Sequence, residues 1–404
     1  MPQYRVALSE PLVANHVDEL RRRLFFLHPA LVEFGLEPDA EKVDLVVLTT
    51  SEPVDEGVLG ARLRRMIDEE VRPQPQAAPE VFWRSSARRQ VPGDVFDDMV
   101  RDGVVVEVGR GRVSLAQPAV ALLDALDALV SDIAIDGLAA REFRYPTLLA
   151  LDVMQRSSYL SAFPQYLMFV TRPRADVDTY RQISEASRNA ADQGAAPPPL
   201  LEYCADVELV LPPTMCYHTF QQFAGTPLGK DAVCVTAKGP SFRHESRYHR
   251  TMERLADFTI REIVFMGPDR YVRAARDKLR QDAVALVEQL GLTGHCEVAT
   301  DPFFSGRAGA ERSSLQRELQ LKHELQLEIA GGPIAVASFN LHYRHFGTAF
   351  GILGEDGGPV HTGCVGFGLE RLTYAVLCQH GWDPANWPDL IRSRLDPRAL
   401  ARRE

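Results

Sequence analysis

Residues 361–377 read HTGCVGFGLERLTYAVL. The glycines read as a loop running into an amphipathic helix with Arg371 in its first turn. Backbone N–H groups at a helix start favour anions, and glycine lets a ligand approach the backbone, so Gly366, Gly368 and Arg371 suit a phosphate. Cys364 lies outside that chemistry: it is either a small buried hydrophobe or a soft ligand for a metal. A second stretch, GPSFRHESRYHRTMERLADFTIREIVFMG (239–267), sets Arg243 and Glu245 on one face of a strand. Such a pair can bind a phosphate and a base amino group of one nucleotide, or close an ion pair across a solvated sheet.

The hydrophobic pattern indicates the elements that must position these residues. VDLVVLTT (43–50) reads as a buried strand, EGVLGARLRRMIDEEV (56–71) as an amphipathic helix, and RPQPQAAPE (72–80) as a linker or long loop. GDVFDDMVRDGVVVEVGRGRVSLA (93–116) predicts a helix and then two strands about a Gly-Arg-Gly turn, either the tail of a winged-helix module or a packing appendage. The run 118–143 predicts a long helix with more than one apolar stripe, buried on two sides as at a subunit interface. Beyond it, strands are expected in DVELVLPPTMC, DAVCVTAKG, FTIREIVFMG, GHCEVAT, ELQLEIA, IAVASFNLHY and TAFGILGE, with helices over 268–290 and 368–380. Hairpin spacing with few crossover helices predicts an α+β fold, an antiparallel sheet with flanking helices. The division expected is a small N-terminal α/β accessory domain, 1–112, and a catalytic domain, 113–404.

The chain has 404 residues, 45% hydrophobic and 25% charged, enough for two or three domains of an ordinary soluble kind. It has no apolar run of spanning length, and MPQYRVALSE does not look like a signal peptide, so a cytoplasmic protein without a membrane partner is expected. Six cysteines, none in a CxxC pair, argue against a disulfide framework. Of the 55 acidic and 45 basic side chains, residues 1–112 hold 20 and 15, leaving 35 and 30 elsewhere. Neither part has the basic surplus of a nucleic-acid-binding domain.

In order along the chain come a long helix leading to a Pro-containing strand (Pro146), FRHE with a loop and Phe258 on the return strand, and Gly-x-Gly-x-x-Arg at Gly366, Gly368 and Arg371. The series resembles the three signature motifs of class II aminoacyl-tRNA synthetases, from residue 118 to 380. Within that superfamily, HTGCVGFGLER and ASFNLHYRHFG (337–347) resemble stretches of seryl-tRNA synthetases. Residues 1–112 lack the paired heptad helices of the seryl enzymes' coiled-coil arm, and cysteines stand at 216 and 364 around the amino-acid pocket. Cys216, Glu262 and Cys364 resemble the zinc site of the atypical, methanogen-type seryl enzymes and of the amino acid:[carrier protein] ligases. FRYPTLLALDVMQRSSYLSAFPQ, CYHTF and ASFNLH…HFG lean towards the carrier-protein ligases.

This resemblance implies Zn²⁺ on Cys216, Glu262 and Cys364, holding the amine of a small amino acid such as glycine, alanine or serine. Three protein ligands leave a tetrahedral position open, as in working zinc sites. The competing reading makes both cysteines packing residues, and a histidine among His218, His244, His249, His342 and His345 is an alternative third ligand. For ATP, the resemblance implies Arg243 on the α-phosphate, Glu245 on the adenine amino group, Phe258 beneath the adenine and Arg371 at the γ-phosphate. Gly366 and Gly368 would face the phosphates, and Ser338 and Asn340 would join Glu262 at the substrate. Mg²⁺ is expected with ATP, with Glu324 or Glu328 standing in for the acidic residue that Ile334 and Ala335 displace. The implied enzyme is a homodimer that makes aminoacyl-AMP and passes the aminoacyl group to the phosphopantetheine thiol of a holo acyl or peptidyl carrier protein. RPRADVDTYRQ (172–182) or the arginines of 243–254 would supply a basic patch for that acidic partner. The alternatives are an atypical seryl-tRNA synthetase charging tRNA and a non-catalytic synthetase-like regulatory or binding protein.

Overall fold

The computed structural model describes residues 1–38, 42–74, 79–88, 91, 95–244, 251–301 and 315–396. Its main sheet has eight strands in the order Val81–Arg84, Gly294–Val298, Lys322–Ile329, Gly332–Tyr343, His361–Gly368, Asp257–Gly267, Val233–Phe242 and Arg141–Phe143. All neighbours are antiparallel except the last, short pair. Strand side chains alternate, so each strand feeds both faces. On one face Ile263, Phe265, Phe339, Val365 and Phe367 pack beneath the helices Ala119–Leu138, Asp269–Gln289 and Leu369–His380. On the other, Val235, Val264 and Cys364 form a second core with Cys216, Phe220 and Phe346. This is the α+β architecture that the pattern predicts. Its own chain supplies much of the burial of the long helix Ala119–Leu138, which lies against both other helices. Among the described residues no helix is long and apolar enough to cross a membrane.

Several elements depart from expectation for local reasons. DVELVLPPTMC is a strand only at Leu209–Leu211; Pro212 and Pro213 offer no N–H to a ladder, and the helix Cys216–Gln222 begins at the cysteine. TAFGILGE begins inside the helix His345–Phe350, which stops where Gly351 adopts φ 65°, leaving only the strand Leu353–Gly354. The strand expected to contain Pro146 ends at Phe143. The glycine loop is itself a strand, His361–Gly368, running directly into the helix Leu369–His380.

The N-terminal unit is a three-stranded antiparallel sheet, Gln3–Val13, Lys42–Thr50 and Leu31–Glu37, closed by the helices Ala14–Leu24 and Glu56–Met66 around a core of its own. Among the described residues its strand pairs are antiparallel. The strand Val81–Arg84 already pairs within the main sheet, and Phe96, Met99 and Val105 join the core beneath the long helices. The two sheets therefore part near 72–80, not at 112. The helix Phe96–Arg101 and its hairpin, Val105–Gly109 with Arg112–Leu115, pack into the main unit, where Ala256 N–H donates to Gly111 O at 2.7 Å.

One buried clamp ties the helical layer to the middle of the sheet. Arg261 donates Nε and Nη2 to the two oxygens of Asp127 at 2.7 and 2.8 Å, and Nη1 to Glu142 Oε1 at 2.7 Å. Lys238 Nζ lies 3.0 Å from Asp127 as well. Burial alone would raise the Asp127 carboxyl, but Arg261 and Lys238 outweigh it and hold the group below its ordinary value. Asp127→Ala leaves a buried guanidinium half-paired, and denaturant unfolding should show a loss of about 3–5 kcal/mol. Arg5→Gln, at the exposed Arg5–Glu37 pair, should cost less than about 1 kcal/mol in the same measurement.

Candidate active site

Arg261 and Glu262 are consecutive on the strand Asp257–Gly267 and so face opposite sides of the sheet. The register sets Glu262 opposite Gly366 and Gly366 opposite Ser338, and in the next row Val264, Cys364 and Asn340 align. Glu262, Cys364, Ser338 and Asn340 thus share the face away from Arg261. Cys216 is brought over that face by the helix that begins after the Pro212–Pro213 break. One ligand atom from each of Cys216, Glu262 and Cys364 lies within 4.8 Å of the others, and all three residues are buried. No other group of three such residues is that close among the described residues. Gly366 lies directly above the carboxylate, where a Cβ would meet Glu262 Oε2 at 3.4 Å; Gly363 faces the opposite core, where a Cβ would lie 2.3 Å from the Phe265 ring.

As free acids these groups resist ionisation. Burial pushes Glu262 up to about 6, against hydrogen bonds from Thr214 and Cys364 that pull it down. The first of these is Thr214 Oγ1–H to Glu262 Oε2 at 2.6 Å. Contact with Cys216, then burial and the Glu262 charge, push the Cys364 thiol well above its ordinary value. The hydrogen bond with Cys364 pulls the Cys216 thiol down, yet burial and Glu262 together leave it raised. A divalent ion among two thiolates and a carboxylate would offset all of these penalties together, and the S₂O donor set suits zinc.

None of the described histidines belongs to this cluster. His342 comes nearest, with Nε2 3.7 Å from Cys364 Sγ and Nδ1 3.3 Å from Thr362 Oγ1. Burial, then the nearby His345, lowers its pKa to about 3, so the ring is neutral. His218 stacks on Tyr145 with centroids 5.4 Å apart, and burial lowers it to about 4. His345 Nε2 is 3.1 Å from Ser157 O. His244 gives its backbone N–H to Tyr166 O, and His249 lies outside the described residues.

A cleft of about 1240 Å³ runs from the cluster past Arg243, Phe258 and Arg371, with Gly366, Gly368, Ser338 and Asn340 along its wall. Arg243 follows the strand Val233–Phe242; its Nε donates to Pro213 O at 3.1 Å and its guanidinium lies 5.4 Å from the Phe258 ring centroid. Arg371 donates Nε to Glu253 O at 2.6 Å and Nη1 to Ala335 O at 3.1 Å. Glu245 lies outside the described residues. Glu324 lines the cleft with Lys322 Nζ 3.0 Å away, whereas Glu328 is not on its wall and approaches His295 at 4.0 Å.

The sequence reading passed over Thr214, the Asp301–Lys322 pair (2.6 Å) and Arg22, Arg62 and Arg65, all of which line the cleft. Thr214 stands two residues before Cys216 and could have been suspected; the others arrive from distant segments and carry no local signal. The arginines of RPRADVDTYRQ do not line the cleft; Arg174 donates to Glu202 O and Arg181 pairs with Asp178.

No family model matches the chain. Amino acid–[acyl-carrier-protein] ligase 1 of Bradyrhizobium diazoefficiens is 32% identical over 324 residues, 80% of this chain and 92% of that protein. The chain belongs to the amino acid–[acyl-carrier-protein] ligase family. The likeness extends to a type-2 serine–tRNA ligase of Methanothermobacter thermautotrophicus, 25% identical over 415 residues, 98% of this chain and 80% of that protein. The M. kandleri SerRS, solved in complex with A. aeolicus tRNASec, superposes with a TM-score of 0.71 at 22% identity, covering 98% of this chain and 77% of that one. The family fold here is that of the class II aminoacyl-tRNA synthetases.

The raised Glu262 pKa fixes a sign. Between the unfolded value of 4.5 and about 6, the folded protein binds more protons than the unfolded chain, so this group's contribution falls as pH rises. Chelator-treated wild type should lose roughly 1–2 kcal/mol relative to Glu262→Gln between pH 4.5 and 7, read by denaturant melts. Parallel pH profiles of the two proteins would refute that assignment.

Proposed function

We propose that the protein activates a small amino acid with ATP as aminoacyl-AMP and passes the aminoacyl group to the phosphopantetheine thiol of a holo carrier protein. The observation that carries this reading is the buried Cys216–Glu262–Cys364 cluster in one cleft with Arg243, Phe258 and Arg371. The relation to the Bradyrhizobium ligase supports the choice of acceptor.

In the first step a carboxylate oxygen of the amino acid attacks the α-phosphorus of ATP, and the bond to pyrophosphate breaks. The protein's part is positioning and charge neutralisation. Arg243 binds the α-phosphate, Phe258 offers a face to the adenine, and Arg371 binds the γ-phosphate at the far side of the cleft. Cys216, Glu262 and Cys364 would hold zinc, which when bound supplies a Lewis-acid seat for a neutral amine. Magnesium enters with ATP. In the second step the acceptor sulfur attacks the acyl carbon, the bond to AMP breaks, and the thiol proton passes to solvent.

The side chains beside Cys364 support a small substrate. Asn340 Nδ2 and His342 Nε2 lie 3.6 and 3.7 Å from Cys364 Sγ, and behind them Phe346 stacks on Phe220 at 4.4 Å. A wall so composed favours a small amino acid such as glycine, alanine or serine. The tRNA-charging reading keeps one specific support, the coverage of 98% of this chain by a serine–tRNA ligase.

Amino-acid-dependent ATP–pyrophosphate exchange tests the reading. Small amino acids should drive exchange, and labelled amino acid should move to a holo carrier protein and not to total tRNA. His342→Ala should raise exchange with the next larger amino acids by about tenfold relative to glycine. Silence across the panel, or transfer to tRNA alone, would overturn the proposal.

A further inference from the structure

The cleft has a wall that belongs to neither the sheet nor its helices. The N-terminal unit contributes Arg22, Arg23, Arg62 and Arg65 to its lining, together with Glu69 and Glu70. Phe26 meets Tyr166 across the junction with ring centroids 6.3 Å apart. Arg22 is 60% exposed, and Arg62 and Arg65 are exposed as well. Glu19 holds Arg23 at 2.7 Å and lies 3.7 Å from Arg22, while Arg62 Nη1 donates to Leu27 O at 3.5 Å.

The distribution of charge in this unit is uneven. Residues 1–72 hold 14 acidic and 9 basic side chains, a balance of −5. Yet six of the nine basic residues fall at 21–23 and 62–65, around the last turns of its two helices. Arginine is favoured at a helix C-terminus by the macrodipole. The second helix runs on as a π-helical stretch, Ile67–Val71, so a helix end does not account for Arg62 and Arg65, nor does it require arginines of both helices to line one cleft, as these do.

We propose that Arg22, Arg62 and Arg65 bind the phosphate of the acceptor's phosphopantetheine arm, so that the thiol beyond it reaches the adenylate. The inference rests on the carrier-arm reading above. Guanidinium groups pair with phosphate oxygens by charge-assisted hydrogen bonds. Three exposed arginines lining one cleft, on an otherwise acidic unit, match one phosphate on a slender arm. They do not match a long nucleic-acid backbone, which calls for an extended basic stripe.

The test compares two small acceptors, 4′-phosphopantetheine and pantetheine, which differ only in the phosphate. The full-length protein is given ATP and an amino acid that supports exchange, and thioester formation is measured. The wild type should use the phosphorylated thiol with kcat/KM about tenfold higher. Arg22→Gln/Arg62→Gln/Arg65→Gln should abolish that preference while ATP–pyrophosphate exchange, which uses none of the three, stays at the wild-type rate. The triple lysine variant should restore part of the preference.

Equal use of both thiols by the wild type would overturn the inference and leave the carrier reading standing. So would a preference that survives the glutamine substitutions, or exchange that falls in step with transfer. Aminoacylation of total tRNA with neither thiol used would overturn the carrier reading and this inference together.

Discussion

Three acidic side chains share one dry spot, and much of the site's architecture serves to put them there. Glu262, Cys216 and Cys364 come from the middle of one strand, the start of a short helix and a neighbouring strand, with ligand atoms within 4.8 Å. Ionised together without a counter-charge they would repel strongly; burial raises Glu262, and burial together with the Glu262 charge raises both thiols above their ordinary values. Their grouping makes physical sense as a seat for a cation. The proposed zinc, with one position left for substrate, converts an electrostatic liability into a device for choosing amines.

Sheet geometry makes this arrangement possible. Residues 261 and 262 point in opposite directions, so one strand carries both the structural ion pair with Asp127 and the carboxylate of the cluster. The clamp anchors the strand to the long helix and to Arg141–Phe143, while Gly366 lies beside Glu262 on the other face. Gly366, which read as part of a phosphate loop, is a strand residue whose missing Cβ leaves space above Glu262. Arg243, Phe258 and Arg371, the residues proposed for adenine and phosphate, line the same cleft.

Much of this was legible in the sequence. Apolar alternation located the strands around Ile263, Val336 and Leu325 and the helices that cover them. The Cys/Glu/Cys grouping was legible only through resemblance, because 48 residues separate Thr214 from its partner Glu262 and still more separate Cys216 from Cys364. Local rules misjudged the proline-rich approach to Cys216, where apolar pattern suggested a strand but Pro212 and Pro213 forbid one. They give no sign of the pairing of Val81–Arg84 with Gly294–Val298, a long-range fact with no local mark. The arginines of the N-terminal wall were hidden for the same reason.

X-ray absorption at the zinc edge of the zinc-reconstituted protein tests the central claim most directly. The account predicts two sulfur ligands at about 2.3 Å with oxygen or nitrogen at about 2.0–2.2 Å, and one more nitrogen when an amino acid that supports exchange is added. A shell without sulfur, or one that the amino acid leaves unchanged, would contradict it.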